Sequence, residues 1–152
     1  MKPKVLFLCT GNSARSQMAE GYLRHIAGDR FDVVSAGTEP KGLNPLAIRA
    51  MCEIGIDISH QHSKDVRDFA ASSIQFVVTV CANAQQRCPI FPSTIKNLHW
   101  DLDDPAAAQG DEDARLQVFR RVRDEIVGRI EQEFSAPGET DARRKSGTGH
   151  AL

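Results

Sequence analysis

Val5-Leu6-Phe7-Leu8-Cys9-Thr10-Gly11-Asn12-Ser13-Ala14-Arg15-Ser16 is the stretch that decides the fold. Val5 to Cys9 is an unbroken apolar run, and Lys4 to Cys9 reads as a buried strand. Five residues, Thr10 to Ala14, then form a loop. A helix follows from Arg15 to about Ala27, with Met18, Ala19, Tyr22, Leu23 and Ile26 on one face at helical spacing.

The same alternation continues outward from this unit. Phe31 to Gly37 reads as a second strand closed by glycine. Asn44-Pro45 opens a second helix, Asn as cap and Pro in the first turn, ending near Gly55. Ser63 to Ser73 suggests a short helix, Phe76 to Val80 a third strand, and Ile95 to Trp100 a weaker fourth. Glu112 to Phe134 carries the apolar stripe Leu116, Phe119, Val122, Ile126 and Ile130 of a long amphipathic helix. Strands alternating with helices imply an α/β fold: a four-stranded parallel sheet flanked by helices on both faces, joined by right-handed crossovers. Residues 1–134 form one expected domain. Residues 135–152, rich in Gly, Ser, Thr and charge, read as a disordered tail, with Arg143-Arg144-Lys145 as solvated charge.

Composition narrows the function classes. The 152 residues suit one core; 41% are hydrophobic and 26% charged, as in a globular protein. A net charge of -1 gives no bulk attraction for nucleic acid or an anionic membrane, so an anionic substrate needs a local site. No apolar stretch approaches bilayer length. The N-terminal apolar run is too short for a signal peptide and lacks a cleavage site, which points to a cytoplasmic protein. There the four cysteines, Cys9, Cys52, Cys81 and Cys88, rest mainly as thiols and serve catalysis, redox or metal binding more often than stapling.

The loop between Cys9 and Arg15 is built for an oxyanion. Amides of Thr10, Gly11, Asn12, Ser13 and Ala14 before a helix N-terminus can converge on one anion, and the helix dipole adds positive potential. The same field favours thiolate at Cys9. Arg15 offers a planar fork of donors to two oxygens. Gly11 or Asn12 can supply left-handed dihedrals, and Ser16 can donate its hydroxyl to the Cys9 sulfur. The Gly-Lys-Ser/Thr ending of a nucleotide loop is missing. Without the strand-loop-helix context, Cys9 would read as a buried thiol and Arg15 as a surface residue.

Two further groups lie at the expected C-terminal sheet edge, where open α/β sheets place their sites. Asp101, Asp103 and Asp104 follow the fourth strand, and any of them can serve as an acid for a leaving oxygen. Cys81 follows the third strand. Ala82 to Arg87 are mostly good helix formers, with Cys88-Pro89 beyond. Across such a helix the two sulfurs' residues stand about 10 Å apart, whereas a disulfide needs Cα atoms within roughly 7 Å. The pair can bridge only if the helix unwinds, which suits a redox switch. The alternatives are two buried cysteines, or a zinc site of Cys81, Cys88 and His99 without close ligand spacing. His60-Gln61-His62 reads as an exposed loop, and Cys52, beside Met51 and Ile54, as packing. Nothing calls for a cofactor or metal.

Val5 to Glu20, Ser35-Ala36-Gly37 and Asn44-Pro45-Ala47 resemble the low-molecular-weight tyrosine phosphatase superfamily, and its arsenate reductase branch in particular. The resemblance extends over nearly all of Lys4 to Phe134. It selects Asp104, of Asp104-Pro105, as the acid. The Cys81-Cys88 spacing is similar to that of the thioredoxin-using arsenate reductases. It implies arsenate as substrate, phosphate as competitor, a relay from Cys9 to Cys81 to Cys88, and thioredoxin as reductant. Ala106-Ala107-Ala108 stand where phosphatases tend to carry aromatics. Ala14 stands where some members have a further cysteine, and Lys64 stands near a position that is acidic in members with a cation site. The competing readings are a tyrosine phosphatase, in which water resolves the phosphoenzyme, and a non-enzymatic oxyanion-binding or redox-sensing module.

Overall fold

The computed structural model describes residues 2–135. The order is β1 (Lys4–Cys9), α1 (Arg15–Ala27), β2 (Asp32–Gly37), α2 (Pro45–Cys52), β3 (Phe76–Thr79), α3 (Ala82–Arg87), β4 (Lys96–His99) and α4 (Glu112–Phe134). The strands form one parallel sheet in the order β2-β1-β3-β4. β1 is central, and Val5 to Cys9 are buried without alternation, because both faces of this strand are covered. The chain leaves β1 for β2 on one side and later enters β3 on the other. That reversal opens a crevice at the C-terminal end of β1.

The sequence reading recovers the element order, and the differences have local causes. The expected helix over 63–73 is only a 3-10 turn at Val66–Phe69, because Asp65 caps it through the Arg67 amide and Ser63 and Lys64 are tied to the loop after β1. α2 stops at Cys52 rather than near Gly55; Gly55 takes φ 82 in the turn beyond. Cys52 is exposed on the last turn, not packed, while its neighbour Met51 is fully buried. β4 begins at Lys96, and Ile95 points to solvent. The expected tail lies outside the described residues, apart from Ser135, which caps α4.

α4 packs on both α1 and α2. Leu116, Phe119, Val122, Ile126, Ile130 and Phe134 form its buried stripe. At one end Phe134 meets Phe31 and Phe76 edge-on, with centroids 5.5 and 5.9 Å away. On the α2 side, the nearly buried Arg123 donates to the Ala50 carbonyl at 2.8 Å and to Glu53 at 3.0 Å. Arg120 adds a two-pronged contact to the same carboxylate. Among the described residues no helix is long and apolar enough to cross a membrane.

Hydrogen bonding from Arg120, joined by Arg123, holds the Glu53 carboxyl down at about 2 against an ordinary 4.5. A carboxyl that titrates lower when folded contributes its full stabilisation above the unfolded value and loses it as pH falls through the folded one. Glu53→Gln is therefore expected to lower stability by about 0.5–1 kcal/mol near neutral pH, screened as a partly exposed pair must be. The gap between variant and parent should shrink between pH 4.5 and 2, as read by urea unfolding across that range. A gap that stayed constant would mean that the carboxylate charge is not what joins α2 to α4.

Candidate active site

Why the loop after β1 curls is visible in its carbonyls. The Cys9 carbonyl accepts from the Thr38 amide, Thr10 from Glu39, Gly11 from Lys41 and Ser13 from Asn44, at 2.8–3.2 Å. The Asn12 carbonyl accepts from Ser63 Oγ at 2.6 Å and Gln17 Nε2 at 3.0 Å. In a trans peptide the following N–H points opposite to the carbonyl. Carbonyls pinned to the outside therefore turn the amides of the loop toward its concave side. α1 begins at the rim, and Ala14 at its cap position provides no side-chain cap for its first amides.

Cys9 sits at the floor, 2% exposed. Its sulfur accepts from the Asn12 amide at 3.1 Å and lies 2.8 Å from Ser16 Oγ. Asn12 Nδ2 donates to Ser16 Oγ at 2.7 Å, which leaves the serine hydrogen available to a Cys9 thiolate. Of the two residues expected to take left-handed dihedrals, Asn12 does so, at φ 47; Gly11 is not among the positive-φ residues.

The strained Asn12 is locked by a closed ring of hydrogen bonds that the sequence reading missed. Asn12 Nδ2 donates to Ser35 Oγ, which donates to Glu20 Oε1. Arg24 bridges Glu20 Oε2 and Gln61 Oε1. Gln61 Nε2 donates to Gln17 Oε1, and Gln17 Nε2 returns to Asn12 Oδ1 at 3.1 Å. Gln61 is thus buried, contrary to the expected exposed loop, while its neighbours His60 and His62 are exposed. The available signal was polar: Gln17, Glu20 and Arg24 recur at helical spacing along α1. Lys64 Nζ stands 3.5 Å from Glu20 Oε1 and donates to the His62 carbonyl. No cluster of three or more metal-ligating side chains occurs among the described residues.

The other predicted residues gather on the same edge. Arg15 Nη1 donates to the Leu102 carbonyl at 3.2 Å, and Nη2 lies 3.8 Å from Asp104. Asp104 also caps the turn at Pro105–Ala107 through the Ala106 amide. Of the three candidate aspartates, Asp103 pairs instead with Arg121, and Asp101 is exposed. Cys81 caps α3, its sulfur accepting from Ala84 N at 3.4 Å and lying 3.2 Å from Thr10 Oγ1. Asn83, in the first turn of α3, accepts from both Thr10 and Thr38. Cys88 ends the same helix. Its thiol donates to the Pro89 carbonyl at 3.4 Å, and burial pushes it above the ordinary thiol range. All four cysteines are free.

A cysteine under a ring of loop amides, an arginine at the helix start and an aspartate facing it define a chain of the low molecular weight phosphotyrosine protein phosphatase family. The family model matches residues 4–139, and the chain belongs to that family. Within it, the chain is 50% identical over 138 residues to the arsenate reductase of Shouchella clausii, covering 91% of this chain and 99% of that one. An arsenate reductase solved in its phosphate-binding state superposes with a TM-score of 0.75 at 36% identity, covering 87% of this chain and 95% of that one. The thioredoxin-dependent arsenate reductase of Corynebacterium glutamicum superposes at 0.65 with 30% identity, covering 86% of this chain and 59% of that longer one.

Gly37, beside the loop, has no room for a side chain. A Cβ there would stand 2.5 Å from the Thr10 carbonyl and 2.9 Å from Asn12 N. Gly37→Ala must push the loop backbone aside and is expected to destabilise by about 1–3 kcal/mol, measured by denaturant unfolding. Gly37 is not among the left-handed glycines, so the loss comes from the contact and not from φ strain. A Gly37→Ala variant as stable as the parent would mean that the loop backbone gives way without cost.

Proposed function

We propose that this protein reduces arsenate to arsenite through a three-thiol relay and is regenerated by thioredoxin. The single observation that carries the reading is the placement of Cys81: one thiol sits under the oxyanion loop and a second is held 3.2 Å from the hydroxyl of the residue next to it. A phosphatase needs only the first. The likeness to arsenate reductases over nearly the whole chain supports the same reading, and the thioredoxin-dependent relative supports the reductant.

The steps follow from the groups in place. Arsenate occupies the loop from Thr10 to Ser16, held by amides and the Arg15 fork. The Cys9 thiolate attacks arsenic, and Asp104 protonates the oxygen that departs as water. Arg15, 3.8 Å from Asp104, places acid and anion together. Cys81 then attacks the Cys9 sulfur. The S–As bonding pair stays on arsenic, which leaves as arsenite, and a Cys9–Cys81 disulfide forms. Cys88 attacks Cys81, expelling the Cys9 thiolate and leaving a Cys81–Cys88 disulfide. The dithiol of thioredoxin reduces that bond. Phosphate fits the same loop but accepts no electrons from the thiols, so it acts as a competitor.

The test is one turnover of fully reduced protein with arsenate and no added thiol. One arsenite per chain with a Cys81–Cys88 bond is expected. Cys88→Ser should release one arsenite and stop with Cys9 and Cys81 linked; continued turnover with thioredoxin in that variant would exclude the relay. Asp104→Asn should slow arsenite release by about 10²-fold or more. Intact thiols together with hydrolysis of an aryl phosphate would assign the phosphatase reaction instead.

A further inference from the structure

The surroundings of Cys88, the last thiol of the proposed relay, oppose its ionisation. Its side chain is half-buried, its hydrogen is engaged with the Pro89 carbonyl, and it must become a thiolate before it can attack. It borders a cavity of about 320 Å³ between β3, α3, β4 and the loop joining α3 to β4. Thr79 comes from β3, Gln85 from α3, Asn97, Leu98 and His99 from β4, and the remainder from the loop. Only two ionisable side chains line it: Cys88 and His99.

The imidazole is held in a defined orientation. Its Nδ1 lies 2.7 Å from Thr79 Oγ1. With the hydroxyl hydrogen on the Leu98 carbonyl, 3.4 Å away, the Thr79 oxygen accepts from Nδ1–H, and this is the tautomer the proposal uses. The hydrogen on Nδ1 leaves Nε2 with its lone pair. β3 and β4 fix this pair rigidly, since Thr79 and His99 are register partners in the sheet.

We propose that His99, oriented by Thr79, takes the proton from Cys88 in the resolving step. This inference rests on the relay proposed above and assigns its missing base. The Cys88 S–H proton passes to His99 Nε2. The sulfur lone pair forms the bond to Cys81, the Cys9–Cys81 bond breaks, and its pair leaves on Cys9 as thiolate. The imidazolium is then placed to return the proton to Cys88 when a reductant attacks Cys81 and expels the Cys88 sulfur. Burial that raises the Cys88 thiol keeps it from reacting early and makes it depend on a base. No other titratable group faces Cys88 across this cavity from β3, α3, β4 or the loop.

The experiment is an acid-quenched, alkylated single turnover with arsenate, comparing the parent, His99→Gln and Thr79→Val, with disulfides mapped by mass spectrometry over time. In His99→Gln arsenite is still released. The Cys9–Cys81 bond should then accumulate, with its conversion to Cys81–Cys88 slowed about tenfold or more near neutral pH. The deficit should narrow as pH rises and free imidazole should restore the rate, which a packing defect would not do. Thr79→Val should show the same defect in smaller measure. Conversion at the parent rate, or an equal slowing at every pH without rescue, would overturn the proposal. If the parent itself releases no arsenite, the reductase reading fails separately. The pH profile of Cys88 alkylation by iodoacetamide in the reduced protein then decides for His99: an upward shift in His99→Gln supports the pairing, and an unchanged profile refutes it.

Discussion

The backbone of Asn12 is the constraint on which the site depends. At φ 47 it is the point where the loop reverses so that its own amide meets the Cys9 sulfur. A left-handed residue other than glycine is costly, and asparagine is among the few that tolerate it. The side chain that makes Asn12 tolerable is also the anchor: its amide donates to Ser16 and Ser35, and its oxygen accepts from Gln17 and from the Lys64 amide. Glycine would relieve the dihedral but remove four hydrogen bonds in a buried place. The ring through Ser35, Glu20, Arg24, Gln61 and Gln17 then ties the curl of the loop to β2, to α1 and to the segment after α2, so a change at any of these reaches the Cys9 sulfur through two to four hydrogen bonds.

Topology explains why groups distant in sequence share one edge. In a parallel sheet every strand delivers its next residue to the same side. β1 presents Cys9, β3 presents Cys81 two residues past its end, and β4 leads to the loop holding Leu102 and Asp104. β2 supplies no reacting group. Its last residue, Gly37, pairs with Cys9 in register and lets the loop lie across it.

Most of this was legible because it is written in local patterns. The apolar run of β1, the stripe of α4 and the Asn44-Pro45 start of α2 each depend on neighbouring residues alone. The Cys9-to-Arg15 loop could be read as an anion cradle for the same reason. What escaped was long-range and polar. Gln61 is buried because Gln17 and Arg24, distant in sequence, bind it; within its own segment it looks like a solvated loop residue. Cys52 looked apolar in its helix and is exposed, because α2 is too short to bury both sides of its last turn. Spacing alone left three aspartates open; the family resemblance singled out Asp104, and the pairing of Arg15 with Asp104 and of Arg121 with Asp103 separates those two in space.

The capping role of Cys81 gives the proposed relay a mechanical logic. α3 has six residues, and isolated helices so short are unstable in water. It is held at its start by the Cys81 sulfur on Ala84 N and by Asn83 on Thr10 and Thr38. Once Cys81 turns toward Cys9 to form a disulfide, its sulfur leaves the cap, and the Ala84 amide in the first turn loses its partner. The helix then loses an N-terminal hold at the very step after which Cys88 must approach. Bridging Cys81 and Cys88 requires their Cα atoms to come within roughly 7 Å, closer than the intact helix allows. The first disulfide therefore weakens the element that keeps the third thiol away. Order in such a relay needs no separate gate: the sulfur that reacts second is also the sulfur that keeps the helix closed until it reacts.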